Sequence, residues 1–170
     1  MTYEVIDDAI SEDSFHTMRD LVVCNKEFPW YMCDEITHKG VIKDGFYFYH
    51  MFYDSGLPIN LANCNISWAC QSLQGLMNRL DPKAIIRIKG NFYPTASKHI
   101  EHPLHADMPF PHKSAIYSLN TCDGYTLLED GTKIDSVANR LFLFDASNLH
   151  SSSTCTDHKA GRFNINVNYF

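Results

Sequence analysis

The sequence predicts a mainly β protein, a closed or two-sheet β structure buttressed by about two helices on one side. Three observations carry this expectation. Two segments in the first half repeat apolar residues at helical spacing. Aromatic runs of high strand propensity lie around and between them. From residue 84 onward, short strand-like segments follow one another, separated by turn residues. The 170 residues suit a single domain, residues 1–170, with 1–83 as support and 84–170 as the core.

Taken in order, Tyr3 to Ile6 reads as a short strand. A helix follows. Ser11 can cap it, Glu12 and Asp13 favour its first turn, and Phe15, Met18, Leu21 and Val22 share a face. Phe28-Pro29-Trp30-Tyr31 and the run from Phe46 to Tyr53 favour extended structure. A second helix fits residues 65–80, where Ile66, Cys70, Leu73, Met77 and Leu80 recur at helical spacing and Asp81-Pro82 ends the pattern. Strands are then expected at 84–93, 103–108, 114–120, 125–129, 132–134, 140–145, 148–153 and 162–169. Asp123-Gly124, Asp130-Gly131 and Lys159-Ala160-Gly161 supply turns between them.

Composition excludes several classes. With 45% hydrophobic and 20% charged residues the chain can bury a core without disulfide or metal staples. No apolar stretch approaches a membrane span, and Met1-Thr2-Tyr3-Glu4 lacks the features of a signal peptide, so a cytoplasmic location is expected. The formal charge of -6 disfavours a nucleic-acid partner. Residues 83–113 run against that average, with Lys83, Arg87, Lys89, Lys98 and Lys113 against Glu101 and Asp107. They suit either a solvated face or a basic mouth for an anionic ligand. The six cysteines form no Cys-x-x-Cys pair and read as free thiols of a reducing compartment.

Five of the nine histidines, His99, His102, His105, His112 and His150, lie in or beside the central segment. His105-Ala106-Asp107 is the tightest arrangement, because residues i and i+2 of a strand share a face. With His150 from a distant strand they form two imidazoles and a carboxylate, a set used by non-haem Fe(II) oxygenases that leaves coordination positions open. A His-x-Asp pair alone is weak, and His99 and His102 compete for the same role. The segment from Gly161 to Phe170 strengthens it. Phe163, Ile165, Val167 and Tyr169 alternate with Arg162, Asn164, Asn166 and Asn168. The polar face suits either water or a ligand cavity. In the second case Arg162 could stand beside the metal and hold a carboxylate through its planar fork.

These residues resemble the 2-oxoglutarate and Fe(II)-dependent dioxygenases of the prolyl-hydroxylase type, most of all small marine phage and bacterial members. The resemblance spans residues 84–170 and rests on the order of Asn91-Phe92-Tyr93-Pro94, His105-Ala106-Asp107, the segments 115–120 and 140–145, His150 and the last strand. It implies a double-stranded β-helix, or jelly roll, with helices packed on one sheet. It implies His105, Asp107 and His150 as iron ligands and Arg162 as the anchor of the distal carboxylate of 2-oxoglutarate. Tyr117 would support that carboxylate, and Tyr93 would line the cosubstrate pocket, although both also suit ordinary aromatic packing. Asn166 and Asn168 would form its wall, Asn168 standing where the family often has a bulky aromatic residue. The implied cofactors are Fe(II), 2-oxoglutarate and O2, with ascorbate as an optional addition. The implied reaction hydroxylates a C–H bond and turns 2-oxoglutarate into succinate and CO2. A carboxylate in the ligand set argues against the halogenase branch.

Two other classes fit the same residues, a zinc-dependent hydrolase and a non-catalytic cupin-like binding domain. The hydrolase lacks an obvious further carboxylate base and leaves Arg162 without a role. The prime substrate, a protein side chain or a small molecule, is not legible. The loop from Met108 to Lys113 suits an entrance to the site or a plain connection.

Overall fold

The computed structural model describes residues 2–34, 46–56, 65–157 and 161–170. Two antiparallel sheets form the frame. The larger contains β1 (Tyr3–Ile6), β2 (Tyr31–Cys33), β3 (Tyr47–Asp54), β4 (Asn65–Ile66), β5 (Ile85–Tyr93), β6 (Lys113–Ser118), β9 (Leu141–Asp145) and β11 (Arg162–Tyr169). Their order is β1-β9-β6-β11-β5-β3-β2, with β4 on β3. The smaller sheet has the order β10-β7-β8, from His150–Ser152, Tyr125–Leu128 and Lys133–Asp135. Strands distant in sequence are thus neighbours, and the fold is the expected double-stranded β-helix with helices on one sheet.

The alternation of β11 explains how the layers assemble. All of its residues are buried, on both faces. Phe163, Ile165, Val167 and Tyr169 join one apolar core with Phe15, Met18, Leu73 and Leu76 from the helical layer. A smaller cluster of Ile116, Leu128, Ile134, Phe142 and Phe144 lies apart from it, on residues of both sheets. Burying each large apolar side chain contributes roughly 1.5–3 kcal/mol. The polar face of β11 is therefore turned inward, to a cavity, and not to water. Gly161 makes the strand's start possible. Its φ is +102°, and a Cβ there would lie 2.4 Å from the Tyr93 carbonyl oxygen. Lys159 and Ala160, the rest of that expected turn, lie outside the described residues.

The first helix fills its expected stretch, and the second is shorter than its periodicity suggests. α1 (Glu12–Arg19) is capped by Ser11, whose Oγ accepts from the Ser14 N–H, and it continues as one π-helical turn over Asp20–Cys24. That widened turn sets Val22 in the core, with Leu21 and Val23 packed against it. The segment 65–80 is not one helix. It opens as β4, passes through a 3-10 stretch at Trp68–Leu73 and becomes α2 (Gln74–Leu80). Here pairing with the edge of β3 overrides the helical pattern at its start. Residues 103–108 also depart from expectation. Isolated bridges, Glu101 with Ser153 and His105 with His150, take the place of a strand. None of Cys24, Cys33, Cys70, Cys122 and Cys155 is in a disulfide, and Cys64 lies outside the described residues.

Candidate active site

β5 and β11 lie side by side and turn matching polar rows to the same cavity. Arg162 faces Tyr93 across the ladder, Asn164 faces Asn91, Asn166 faces Lys89 and Asn168 faces Arg87. Thr126 on β7 and His150, Ser151 and Ser152 on β10 close the pocket from the smaller sheet, and Tyr47 on β3 flanks it.

His105, Asp107 and His150 converge at this pocket, their ligand atoms all within 4.8 Å of one another. Strand alternation is not what aligns the first two. His105 is fixed by a two-way backbone pair with His150, at 2.9 and 3.0 Å, and Asp107 follows in a bend. The Nδ1 of His105 lies 3.0 Å from the Pro103 carbonyl oxygen, so Nδ1–H donates and the Nε2 lone pair is free. That Nε2 is 3.9 Å from Asp107 Oδ1, and the Nε2 of His150 is 3.9 Å from Oδ2.

The surroundings of Asp107 hold it ionised. Arg87 Nη2 donates to Oδ1 at 3.1 Å, and the amides of Asn166 and Asn168 both donate to Oδ2 at 2.9 Å. Burial alone would raise this carboxyl. The charge of Arg87, that of His150 once low pH protonates it, and the two amide bonds outweigh it and place the carboxyl well below the usual range. His150 is pushed down by burial, helped by His105 and Arg87 and opposed by Asp107 and a backbone bond, so its imidazole stays neutral near pH 7. Two imidazoles and one carboxylate are the donor set of a divalent transition metal, and the three residues fit such an ion.

Arg162 lies deeper, 1% exposed. Its Nη1 donates to the carbonyls of Tyr125 and Ser153 at 2.8 and 3.2 Å, and its Nη2 to Thr126 Oγ1 at 2.9 Å. Its Nε is buried without a partner, and among the described residues no carboxylate pairs with it. Gly124 leaves it room, since a Cβ there would meet the Arg162 Cδ at 2.8 Å. Tyr93 lines the pocket above it, its ring centre 5.8 Å from the guanidinium.

Two of the sequence-derived positions need correction. Tyr117 is on the other face of β6. Period-2 alternation points Ile116 at the cavity and buries Tyr117 among the helices, where its hydroxyl donates to Asn139 Oδ1 at 2.7 Å. The hydroxyl beside the guanidinium belongs to Thr126 instead. Asn166 lines the pocket as expected, but Asn168 sits behind Asp107, close to His112 and Ser114, and not on the wall. The remaining histidines serve elsewhere. His99 pairs with Asp123, His102 bonds Ser152 Oγ, and His112 is buried with Nδ1 on the Phe110 carbonyl. The basic stretch divides: Arg87 and Lys89 line the pocket, while Lys83, Lys98 and Lys113 are exposed. Arg87, Lys89, Asn91 and Thr126 were not singled out as site residues, Arg87 and Lys89 being read only within the basic stretch and Asn91 only within a motif. The first three had a signal there, since they alternate with Ile86 and Ile88 as the polar row of β11 alternates with its apolar one.

No protein-family model and no curated protein matches the sequence. Solved structures do match in shape. A prolyl hydroxylase from Trichoplax adhaerens, solved with a fragment of the hypoxia inducible factor oxygen degradation domain, has a TM-score of 0.68 at 16% identity over 99% of this chain and 83% of its own. The chain has the fold of the 2-oxoglutarate and Fe(II) oxygenases. An oxidoreductase of the 2OG-Fe(II) oxygenase family from Burkholderia pseudomallei gives 0.65 at 12% identity, over 98% and 83%. The viral collagen prolyl hydroxylase of Paramecium Bursaria Chlorella virus-1, solved with 2OG, gives 0.61 at 12% identity, over 99% and 95%. No helix among the described residues is long and apolar enough to cross a membrane.

Proposed function

We propose that the chain, acting as one catalytic unit, is an Fe(II)- and 2-oxoglutarate-dependent dioxygenase that hydroxylates a C–H bond of a protein side chain or small molecule. One observation carries the reading: on this fold, two imidazoles and a carboxylate converge in a pocket whose lining residues Tyr93 and Thr126 contact a buried arginine lacking an acidic partner. His105, Asp107 and His150 would hold the metal. Fe(II), when bound, supplies dioxygen activation coupled to the decarboxylation of 2-oxoglutarate to succinate and CO2. The chain does the rest. Arg87, Asn166 and Asn168 fix the carboxylate of Asp107, Arg162 offers its charge to the distal carboxylate of the cosubstrate, and Tyr93 and Thr126 shape that end of the pocket. A closer kinship with the small phage and bacterial members rests on motif order alone and belongs to this proposal.

A hydrolase would need a base beside the metal. Among the described residues, Asp107 is the sole carboxylate lining the pocket, and it belongs to the ligand set. The test is succinate formation from 2-oxoglutarate with added Fe(II) and ascorbate, alongside anaerobic calorimetry with Mn(II) in place of Fe(II). The wild type should bind Mn(II) and then 2-oxoglutarate, and Asp107→Ala should form no succinate. Failure of the Mn(II)-loaded wild type to bind 2-oxoglutarate would sink the reading.

A further inference from the structure

The pocket holds more positive charge than the proposed reaction uses. Arg87, Lys89 and Arg162 stand in or under it against one carboxylate, Asp107. Arg87 is paired with that carboxylate at 3.1 Å. On the reading above, the divalent metal and dianionic cosubstrate cancel each other, which leaves the charges of Arg162 and Lys89, and of these Arg162 contacts the distal carboxylate of the cosubstrate while Lys89 has no assigned contact. Lys89 is left over. Its Nζ donates to the Tyr47 hydroxyl at 2.7 Å and lies 4.8 and 5.4 Å from the ring centres of Tyr47 and Tyr49. Among the described residues it has no acidic partner. Burial, reinforced by the charge of Arg87 and opposed by Asp107, pulls this ammonium down to about 8. It is therefore charged at neutral pH but poorly solvated, a state that an incoming anion relieves.

Lys89 and Arg162 serve different directions. Arg162 enters from β11 opposite Tyr93, four backbone positions along β5 from Lys89, roughly 13 Å of strand, although the Lys89 side chain spans part of that distance to Tyr47, whose ring stacks on Tyr93 at 5.6 Å. Lys89 reaches across the sheet to β3, on the side of β5 away from β11. Resting on the dioxygenase reading, we infer that Lys89 and Tyr47 form an anion subsite for the prime substrate, so that the substrate presents a carboxylate there. The phenol and the ammonium supply two adjacent donors to one carboxylate, and the tyrosine rings wall it.

Crystals of the Mn(II) and 2-oxoglutarate complex, soaked in bromide, test the subsite directly. An anomalous peak should appear between Lys89 Nζ and the Tyr47 hydroxyl, persist in Lys89→Arg and vanish in Lys89→Met. By calorimetry, Lys89→Met should bind Mn(II) and 2-oxoglutarate within about twofold of wild type, against a loss of about tenfold or more in Arg162→Ala. A comparable loss in Lys89→Met would assign Lys89 to the cosubstrate and overturn the inference, as would the absence of the bromide peak. If the wild type binds neither Mn(II) nor 2-oxoglutarate, the dioxygenase reading itself fails, while the soak of metal-free crystals still reports on Lys89. For the substrate class, free amino acids and capped peptides containing Asp or Glu should stimulate 2-oxoglutarate consumption, and their carboxamides should not. Which of the two sets acts identifies the source of the carboxylate. Equal stimulation by acids and amides, or by neither, would refute the assignment.

Discussion

Asp107 receives three N–H donors on two oxygens, and each donor comes from a strand of the larger sheet. A metal-ligating carboxylate held this way has little freedom to swing. Removing one donor should therefore cost metal affinity before it costs the fold. Asn168→Leu, nearly isosteric, is expected to weaken Mn(II) binding by about 10–100-fold, the usual effect of losing a partner of a metal ligand. Isothermal titration reads the change, and an unaltered affinity would mean that Arg87 and Asn166 suffice. Arg162→Ala tests the other end of the pocket. It should lower 2-oxoglutarate affinity by at least about tenfold, equivalent to 1.4 kcal/mol, and leave Mn(II) binding without cosubstrate nearly unchanged. Equal cosubstrate affinity in both proteins would remove Arg162 from the site.

β11 shows what period-2 reading can and cannot do. Its bounds and its two faces were legible, because eight residues alternate without a break, whereas the same alternation suited water as well as a cavity on the polar side. The same rule applied to β6 would have excluded Tyr117, since one cavity-facing residue, Ile116, fixes the phase for its neighbours. Without a neighbour strand, however, that phase is not visible in the sequence. His105 and Asp107 lie close together, but a bridge and a bend, not the expected strand, bring them there. The second helix was over-extended because apolar spacing in residues 65–80 continues through a segment that pairs with β3. The start of β11 gives an element-scale prediction. Gly161→Ala forces a side chain into a left-handed position against the Tyr93 carbonyl oxygen. It should lower unfolding free energy by at least about 2 kcal/mol in urea denaturation. A loss under 0.5 kcal/mol, roughly the scatter of neutral surface changes, would show that the turn relaxes.

Across the whole molecule, buried histidines tie stability to pH. His102 is pushed down to about 4, chiefly by burial and further by Arg162 and His105. An unfolded histidine titrates near 6.5. Between these values the unfolded chain binds the extra proton, so stability is full above about 6.5 and falls as pH drops toward 4, by on the order of 3 kcal/mol from this residue. Chemical denaturation of the metal-free protein should show that slope, and His102→Asn should flatten it in part, with His150 accounting for some of the remainder. A slope unchanged by the substitution would place the effect elsewhere. The fold class was readable because many short strands follow two helices. The sheet order was not, because β11 joins β5 and β6 across long stretches of chain. That order bears on biosynthesis. A ribosome delivers β5 and β6 well before β11, so until the last strand emerges the nascent larger sheet is two half-sheets, each with an open edge. Arg162, Asn166 and Asn168 arrive with the strand that joins them, so the pocket and the finished sheet come into being in one event. A partly made chain therefore exposes strand edges that invite aggregation until β11 pairs with them.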